Sequence, residues 1–211
     1  PKLEIISTLD ELRIGNAYYR ISLAPATAPL SGSANKLIHK VSIVGSDREF
    51  VPLQTISDLT EMSDGKQIIH QWQFDPGQPP CLNRYGEGVV TVSYGGFYQQ
   101  SPDKRLPGVT WNIVFVFYAD LPLVKIRFVR RQEEEKAFFF GRSMQIYFVP
   151  SNPGWPIVKK EVATAEQRDW CSISTAQGQI ALLLPDNKTR GLAYWSPDWG
   201  YLCASWEAEG L

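Results

Sequence analysis

The segment Trp111–Pro150, WNIVFVFYADLPLVKIRFVRRQEEEKAFFFGRSMQIYFVP, carries the densest β-forming pattern of the chain and decides its fold class. Three apolar runs, Val114–Tyr118, Leu123–Val129 and Phe138–Phe148, are separated by a short Ala-Asp-Leu-Pro turn and by the charged segment Arg130–Lys136. Runs of β-branched and aromatic residues joined in this way pair as neighbouring antiparallel strands. The segment therefore predicts a three-stranded meander at the centre of a large sheet, with Arg130–Lys136 as a solvated hairpin tip.

Strand and turn signals continue on both sides of this segment. Leu12–Leu23 predicts a hairpin around a Gly-Asn turn, Gln67–Phe74 predicts a strand, and shorter strands follow between residues 170 and 206. Residues 75–88 are expected to form a long ordered loop, and residues 97–107 a polar excursion. We therefore predict an all-β fold, a large antiparallel two-sheet β-sandwich of roughly a dozen strands. Residues 1–211 would form one domain, either a whole protein or a module of a longer one.

Composition argues against several classes of partner. The chain has 21 basic and 22 acidic residues and a net charge of −1, which predicts no nucleic-acid partner. No apolar run is long enough to cross a bilayer as a helix, so no membrane partner is predicted. Aromatic residues, in contrast, make up 12% of the chain, and they suit both a sandwich core and a flat binding surface.

Cysteine usage and motifs predict neither a metal nor a cofactor. Cys81, Cys171 and Cys203 are too few and too scattered for a zinc site or a disulfide framework. They favour buried free thiols, with a Cys171–Cys203 bridge as the alternative. Phosphate-binding glycine loops, nucleophile elbows and metal-ligand spacings are absent from the sequence.

Two stretches resemble a known fold family. One is Leu12–Leu23, LRIGNAYYRISL, and the other is Phe117–Arg131, FYADLPLVKIRFVRR, followed by Gly141–Ile146. They are similar to the β-supersandwich of galactose-mutarotase-like proteins and polysaccharide lyases, nearest the central sandwich of exo-acting rhamnogalacturonan lyases. The resemblance implies a supersandwich fold and an oligo- or polysaccharide partner. Epimerase activity is disfavoured, because neither His39 nor His70 lies in the Asn-His-aromatic-Phe-Asn context of mutarotases.

Candidate catalytic residues lie before the central segment. His70 lies beside Trp72 in an alternating strand and is a candidate acid or base, against the alternative of a hydrogen-bonded strand histidine. Arg84, Tyr85 and Glu87 lie close together in the predicted loop, where arginine could clamp a uronate and tyrosine could abstract its proton. The alternative is a loop anchored on the sheet by Tyr85.

Candidate substrate-binding residues form an aromatic patch near the end of the chain. Trp195, Trp199 and Tyr201 flank one turn, and sugar rings stack on indole through their C–H faces. Asp198 in the same turn could accept hydroxyl hydrogen bonds, and Trp155, held between two prolines, is a further platform. The alternative is that these aromatics belong to the core.

Three functions are compatible with these observations. The first is a carbohydrate-recognising β-sandwich module of a polysaccharide-processing protein, and the fold-level likeness alone favours it. The second is a polysaccharide lyase or glycosidase that uses the His70 and Arg84–Glu87 region. The third is a structural or assembly protein without sugar chemistry, with a neighbouring domain or a second copy of the chain as its partner.

Overall fold

A computed structural model of the protein describes residues 2–26, 37–45, 49–56, 58–74, 78–101, 103–133, 138, 144–150, 157–162, 170–175, 178–183, 190–196 and 201–207. Every regular element within these ranges is a β-strand, and every strand pair is antiparallel. The predicted all-β antiparallel class is therefore confirmed for the described residues. They include no helix of the length and apolarity needed to span a membrane.

The described strands follow one another along the chain with mostly short connections. They are β1 (Glu4–Ser7), β2 (Leu12–Gly15), β3 (Tyr19–Leu23), β4 (Ile38–Ile43), β5 (Glu49–Ile56), β6 (Leu59–Ser63), β7 (Lys66–Phe74), β8 (Cys81–Tyr85), β9 (Val89–Ser101), β10 (Lys104–Tyr118), β11 (Val124–Gln132), β12 (Met144–Pro150), β13 (Ile157–Val162), β14 (Trp170–Thr175), β15 (Gly178–Leu183), β16 (Arg190–Ser196) and β17 (Tyr201–Glu207).

The strands assemble into two larger sheets and one small one. An eight-stranded sheet has the order β1-β2-β3-β4-β5-β12-β17-β16, and a three-stranded sheet has the order β13-β14-β15. A six-stranded sheet has the order β11-β10-β9-β7-β6, with β8 also paired to β9. Strands β8 and β7 pair with different stretches of β9, since β8 is opposite residues 89–93 and β7 is opposite residues 96–99.

Strand β10 supplies the centre of the core through its period-two pattern. Trp111, Ile113, Phe115 and Phe117 are all at most 2% exposed, whereas the residues between them are half-buried or exposed. Alternate residues of a strand face opposite sides of the sheet, so these four side chains share one face. Fully burying a side chain of this size contributes about 1.5–3 kcal/mol.

One hydrophobic cluster contains residues of both larger sheets. Ile14, Ile21 and Leu23 of the eight-stranded sheet belong to the same buried cluster as Phe115 and Phe117 of the six-stranded sheet. Direct contacts cross between the sheets: the rings of Tyr19 and Phe117 lie 6.5 Å apart at their centroids. The hydroxyl of Tyr94 on β9 also donates a 2.8 Å hydrogen bond to the backbone oxygen of Ala24 after β3.

The side chain of Asn16 joins the β2–β3 turn to the turn after β10. Its Nδ2 donates hydrogen bonds of 2.8 Å to the backbone oxygens of both Tyr118 and Leu121. Its Oδ1 accepts hydrogen bonds from the backbone N–H groups of Tyr18, at 2.8 Å, and Tyr19, at 3.1 Å. An amide side chain has two donors and two acceptor positions, so this half-buried group uses all four.

The predicted three-stranded meander is wrong in its third strand. Strands β10 and β11 pair as expected, with Phe117 opposite Val124, but β12 pairs with β5 and β17 in the eight-stranded sheet. The local pattern of an apolar run indicates a strand without indicating which edge it joins. The predicted hairpin tip also begins too early, because Arg130 lies in β11 and is half-buried opposite Trp111.

Two connections are more regular than the sequence predicts. The expected loop at residues 75–88 contains β8, where Leu82 is half-buried and opposite Val92. The expected excursion at residues 97–107 belongs mostly to β9 and β10. Cys81, expected to be buried, is an exposed free thiol at the start of β8, a strand that the described structure pairs only with β9.

Three buried tyrosines of the core have raised pKa values. Burial raises the pKa of Tyr19 from its ordinary value of 10.0 to about 12, and the Tyr118 backbone offsets part of this effect. Burial also raises the pKa of Tyr94 and of Tyr98, the latter against the opposing charge of Arg130. The cause in each case is that the phenolate would lose its hydration between the sheets.

We expect the Asn16→Asp variant to lower the free energy of unfolding by about 2–4 kcal/mol. The change removes both donors and places a carboxylate against two backbone carbonyl oxygens, while it keeps the acceptor. Urea unfolding followed by fluorescence would measure the loss. The matched control is Asn83→Asp at an exposed position of β8, with an expected effect within about 0.5 kcal/mol. Equal losses in both variants would contradict the assigned role of Asn16.

We expect the stability of the protein to fall as the pH rises above about 10. Below the unfolded-state value of 10.0 the tyrosines are protonated in both states, whereas above it only the unfolded state releases these protons until the folded pKa is reached. Each such tyrosine adds a slope of about 1.4 kcal/mol per pH unit. Because the Tyr19 pKa is raised only to about 12, Tyr19→Phe should reduce the slope of the unfolding free energy by about 1 kcal/mol per pH unit between pH 10 and 11.5. If the slope is unchanged in Tyr19→Phe, the burial of the Tyr19 hydroxyl does not contribute to the pH dependence of stability.

Candidate functional site

The outer face of the six-stranded sheet carries the polar side chains of β9, β10 and β11. Because the odd-numbered residues 111–117 of β10 face the core, Thr110, Asn112 and Val114 face away from it. Strand pairing places Arg127 opposite Val114 and Arg131 opposite Thr110, so both arginines lie on this outer face. The face therefore combines cationic and uncharged polar groups.

A groove of about 550 Å³ runs across this face. The backbone of Gly95 and Gly96 lines the groove. Because these two residues have no side chains, the groove is deepest there and the neighbouring side chains form its walls. A Cβ atom placed on Gly95 would lie 3.5 Å from Oε1 of Gln78 and 3.9 Å from Nδ2 of Asn112. The Asn112 amide is held in place by a 2.9 Å hydrogen bond from Nδ2 to the backbone oxygen of Tyr94.

Every charged residue that the structure describes in the lining of the groove is cationic. Arg105, Arg127 and Arg131 line it, and none of its described lining residues is acidic. Arg127 and Arg131 are four residues apart on one strand, so their Cα atoms lie about 13 Å apart. Neither forms an ion pair with a carboxylate of the residues that the structure describes. The groove is therefore suited to a ligand that carries more than one negative group.

Arg105 reaches this face because β10 contains a bulge. Its pairing with β9 shifts between Arg105, which is opposite Gln99, and Thr110, which is opposite Phe97. From Arg105 to Thr110 the chain of β10 advances five residues, whereas β9 advances only two between their partners. The three extra residues are an odd number, so they reverse the direction in which alternate side chains of β10 point. An odd-numbered residue of β10 would otherwise face the core. At the bulge, Gly108 has a φ of +66° and its oxygen accepts a 2.9 Å hydrogen bond from the Glu133 N–H.

The structure places His70 inside the protein. It lies on the core face of β7, is 4% exposed and has its Nε2 3.2 Å from Oε1 of Glu61. Its ring meets Phe138 edge-on, with centroids 6.4 Å apart. In this position His70 is a buried histidine beside a carboxylate, separated by the sheet from the outer-face groove.

The other three candidate catalytic residues lie together on the β8–β9 hairpin. Arg84 and Tyr85 are exposed residues of β8, with Tyr85 61% exposed, and Glu87 is exposed in the turn that follows. Tyr85 is opposite Val89, whereas the neighbour of His70 in the chain, Gln71, is opposite Gln99. Ten residues of extended strand span about 33 Å. The structure places all three on one hairpin, but Arg84, opposite the buried Val90, and Tyr85, opposite Val89, face opposite sides of the sheet, and His70 lies far from both.

The predicted aromatic platform is described only in part. Trp155, Asp198 and Trp199 lie outside the described residues. Trp195 is in β16 opposite Leu202, and Tyr201 begins β17 opposite Ser196. Strands β16 and β17 are therefore antiparallel neighbours at one edge of the eight-stranded sheet.

Sequence reasoning missed the groove residues although a signal was present. In VKIRFVRRQ of β11, Arg127 and Arg131 alternate with the half-buried Ile126, Phe128 and Arg130. This spacing alone would place both arginines on one exposed face. Arg105 could not be found in this way, since its orientation depends on the bulge.

No protein-family model matches this chain, and searches found no similar curated protein and no similar solved structure. The groove and its chemistry are therefore the basis on which a function can be inferred.

We expect the Gly108→Ala variant to lower the free energy of unfolding by about 1–2 kcal/mol. A φ of +66° is unfavourable for alanine, and its Cβ would lie 3.2 Å from the Cβ of Glu133. Denaturant unfolding would measure the change. Gly88→Ala is the matched control, because a Cβ there meets nothing within 4 Å. If both variants lose the same stability, the bulge does not require a glycine at position 108.

Proposed function

We propose that this protein is a carbohydrate-recognising β-sandwich module that binds an acidic oligo- or polysaccharide in the outer-face groove. The observation that carries the proposal is the set of three arginines, Arg105, Arg127 and Arg131, that line the groove together. The resemblance of Leu12–Leu23 and Phe117–Arg131 to polysaccharide-lyase supersandwiches supports the same class of ligand. The shared core of the two larger sheets supports a two-layered supersandwich as the scaffold.

The groove chemistry fits a uronate better than a neutral sugar. A guanidinium group binds a carboxylate with two parallel N–H···O bonds, which fixes both position and orientation. Thr110, Asn112 and Gln78 add donors and acceptors of the kind that sugar hydroxyl groups require. The spacing of Arg127 and Arg131 along β11 supports a ligand that lies along the strand and offers carboxylates on more than one ring.

A nucleic-acid ligand is less well supported by the same groove. Modules that bind single strands combine a basic surface with exposed aromatic rings on which bases stack. The chain as a whole has a net charge of −1, and the groove aromatics Phe97 and Trp111 are 8% and 2% exposed. We therefore favour a saccharide polyanion over a nucleic acid.

Binding is better supported than catalysis at this site. Lyase or glycosidase chemistry requires a general acid or base beside the sugar. The described lining of the groove contains no histidine, tyrosine or carboxylate. The lyase or glycosidase alternative would instead have to use the exposed Arg84, Tyr85 and Glu87 on the β8–β9 hairpin.

Calorimetric titration with an oligogalacturonate of four to six units, at about 0.15 M salt, tests the proposal. We expect saturable binding by the wild type, and a loss of about tenfold or more in affinity in Arg127→Gln and in Arg131→Gln. Arg20→Gln is the matched control, because Arg20 is an exposed arginine on β3 of the other sheet. Its affinity should equal that of the wild type.

Three results would overturn the proposal. The first is the absence of binding to any uronate oligomer, and the second is equal weakening by the Arg20 control, which would indicate unspecific attraction. The third is tighter binding of single-stranded RNA than of the uronate at the same groove, which would assign the site to a nucleic acid instead.

A further inference from the structure

Phe97 is an aromatic residue on the outer face that is nevertheless covered. It lies at an outward position of β9, opposite Thr110, and lines the groove, yet it is only 8% exposed. The guanidinium group of Arg105 lies over its ring, with Cζ 3.7 Å from the ring centroid. This is the geometry of a cation–π contact, which holds the guanidinium group over the face of the ring.

The backbone, and not only the side chains, builds this stack. The bulge between Arg105 and Thr110 turns Arg105 to the outer face, while Leu106 beside it is 6% exposed and buried in the core. The same bulge contains Gly108 with its left-handed φ of +66°. Arg105 is therefore placed over Phe97 by the local fold, which favours a stable cover over a chance surface contact.

The stack changes what the groove offers to a sugar. An exposed aromatic ring attracts the C–H face of a neutral pyranose, and this attraction does not depend on charge. A guanidinium lying over the ring blocks that face and offers N–H donors to a carboxylate instead. The same residue thus adds affinity for an acidic ring and removes a binding surface for a neutral one.

We infer that Arg105 is the specificity-determining residue of the groove and that it selects acidic over neutral saccharides by covering Phe97. The inference rests on the proposed function and adds to it the residue that sets selectivity. Arg127 and Arg131 differ from Arg105 in this respect, since no aromatic ring contact is described for either of them. Removal of either should weaken binding of an acidic ligand without creating an affinity for a neutral one.

The experiment compares two ligands of the same length, a galacturonate oligomer and its carboxyl-reduced neutral counterpart. For Arg105→Ala we expect the affinity for the acidic oligomer to fall about tenfold and that for the neutral one to rise about threefold or more. Arg105→Ala combined with Phe97→Leu should lose the gain for the neutral oligomer. Arg105→Gln, which keeps a long polar side chain, should lie between the wild type and Arg105→Ala. Arg127→Gln is the comparison that should lose acidic affinity without any neutral gain.

The possible outcomes distinguish the inference about Arg105 from the proposed binding of acidic saccharides. Weaker acidic binding in Arg105→Ala without a neutral gain would overturn the inference and leave the proposed function standing. A neutral gain that persists after Phe97→Leu would also overturn it, because the ring would not be the surface uncovered. Absence of binding to the acidic oligomer by the folded wild type would overturn both.

Discussion

The hydrogen bonds of Asn16 are the constraint on which the arrangement of the two larger sheets depends at one end. A single amide side chain closes the β2–β3 turn through its oxygen and holds the turn after β10 through its nitrogen. Asparagine fits because it has two donors and two acceptor positions in one short side chain. With these bonds made, the faces carrying Tyr19 and Phe117 lie in contact across the core.

The bulge of β10 has a comparable influence on the outer face. A regular strand would direct residue 105 to the core, and three extra residues reverse its direction. As a result, Arg105 of β10 lines the same groove as Arg127 and Arg131 of β11. The two β11 residues face outward by regular alternation, whereas Arg105 faces outward only because of the bulge. A local irregularity of the backbone thus creates a charge cluster that regular alternation would not.

In contrast, the sequence predicts a strand correctly wherever apolar and polar residues alternate because one face of that strand is buried. The pairing of β10 with β11 was predicted from their patterns and a short turn, because a two-stranded hairpin is a local structure. The position of β12 was not predicted, since its partners β5 and β17 are distant in the chain. Likewise, the prolines and glycine of residues 76–80 predict a loop over residues 75–88, and they hide the short strand β8 that follows them.

The sequence by itself determined the all-β class, the β10–β11 hairpin and the outward direction of Arg127 and Arg131, because each follows from local periodicity and turn chemistry. Only the tertiary structure decided which sheet each strand joins, that His70 is buried beside Glu61, and that Arg105 covers Phe97. These features depend on contacts between segments remote in sequence and on a backbone bulge. Neither leaves a periodic signal in the sequence, because strand pairing and side-chain cover are set by residues far apart along the chain.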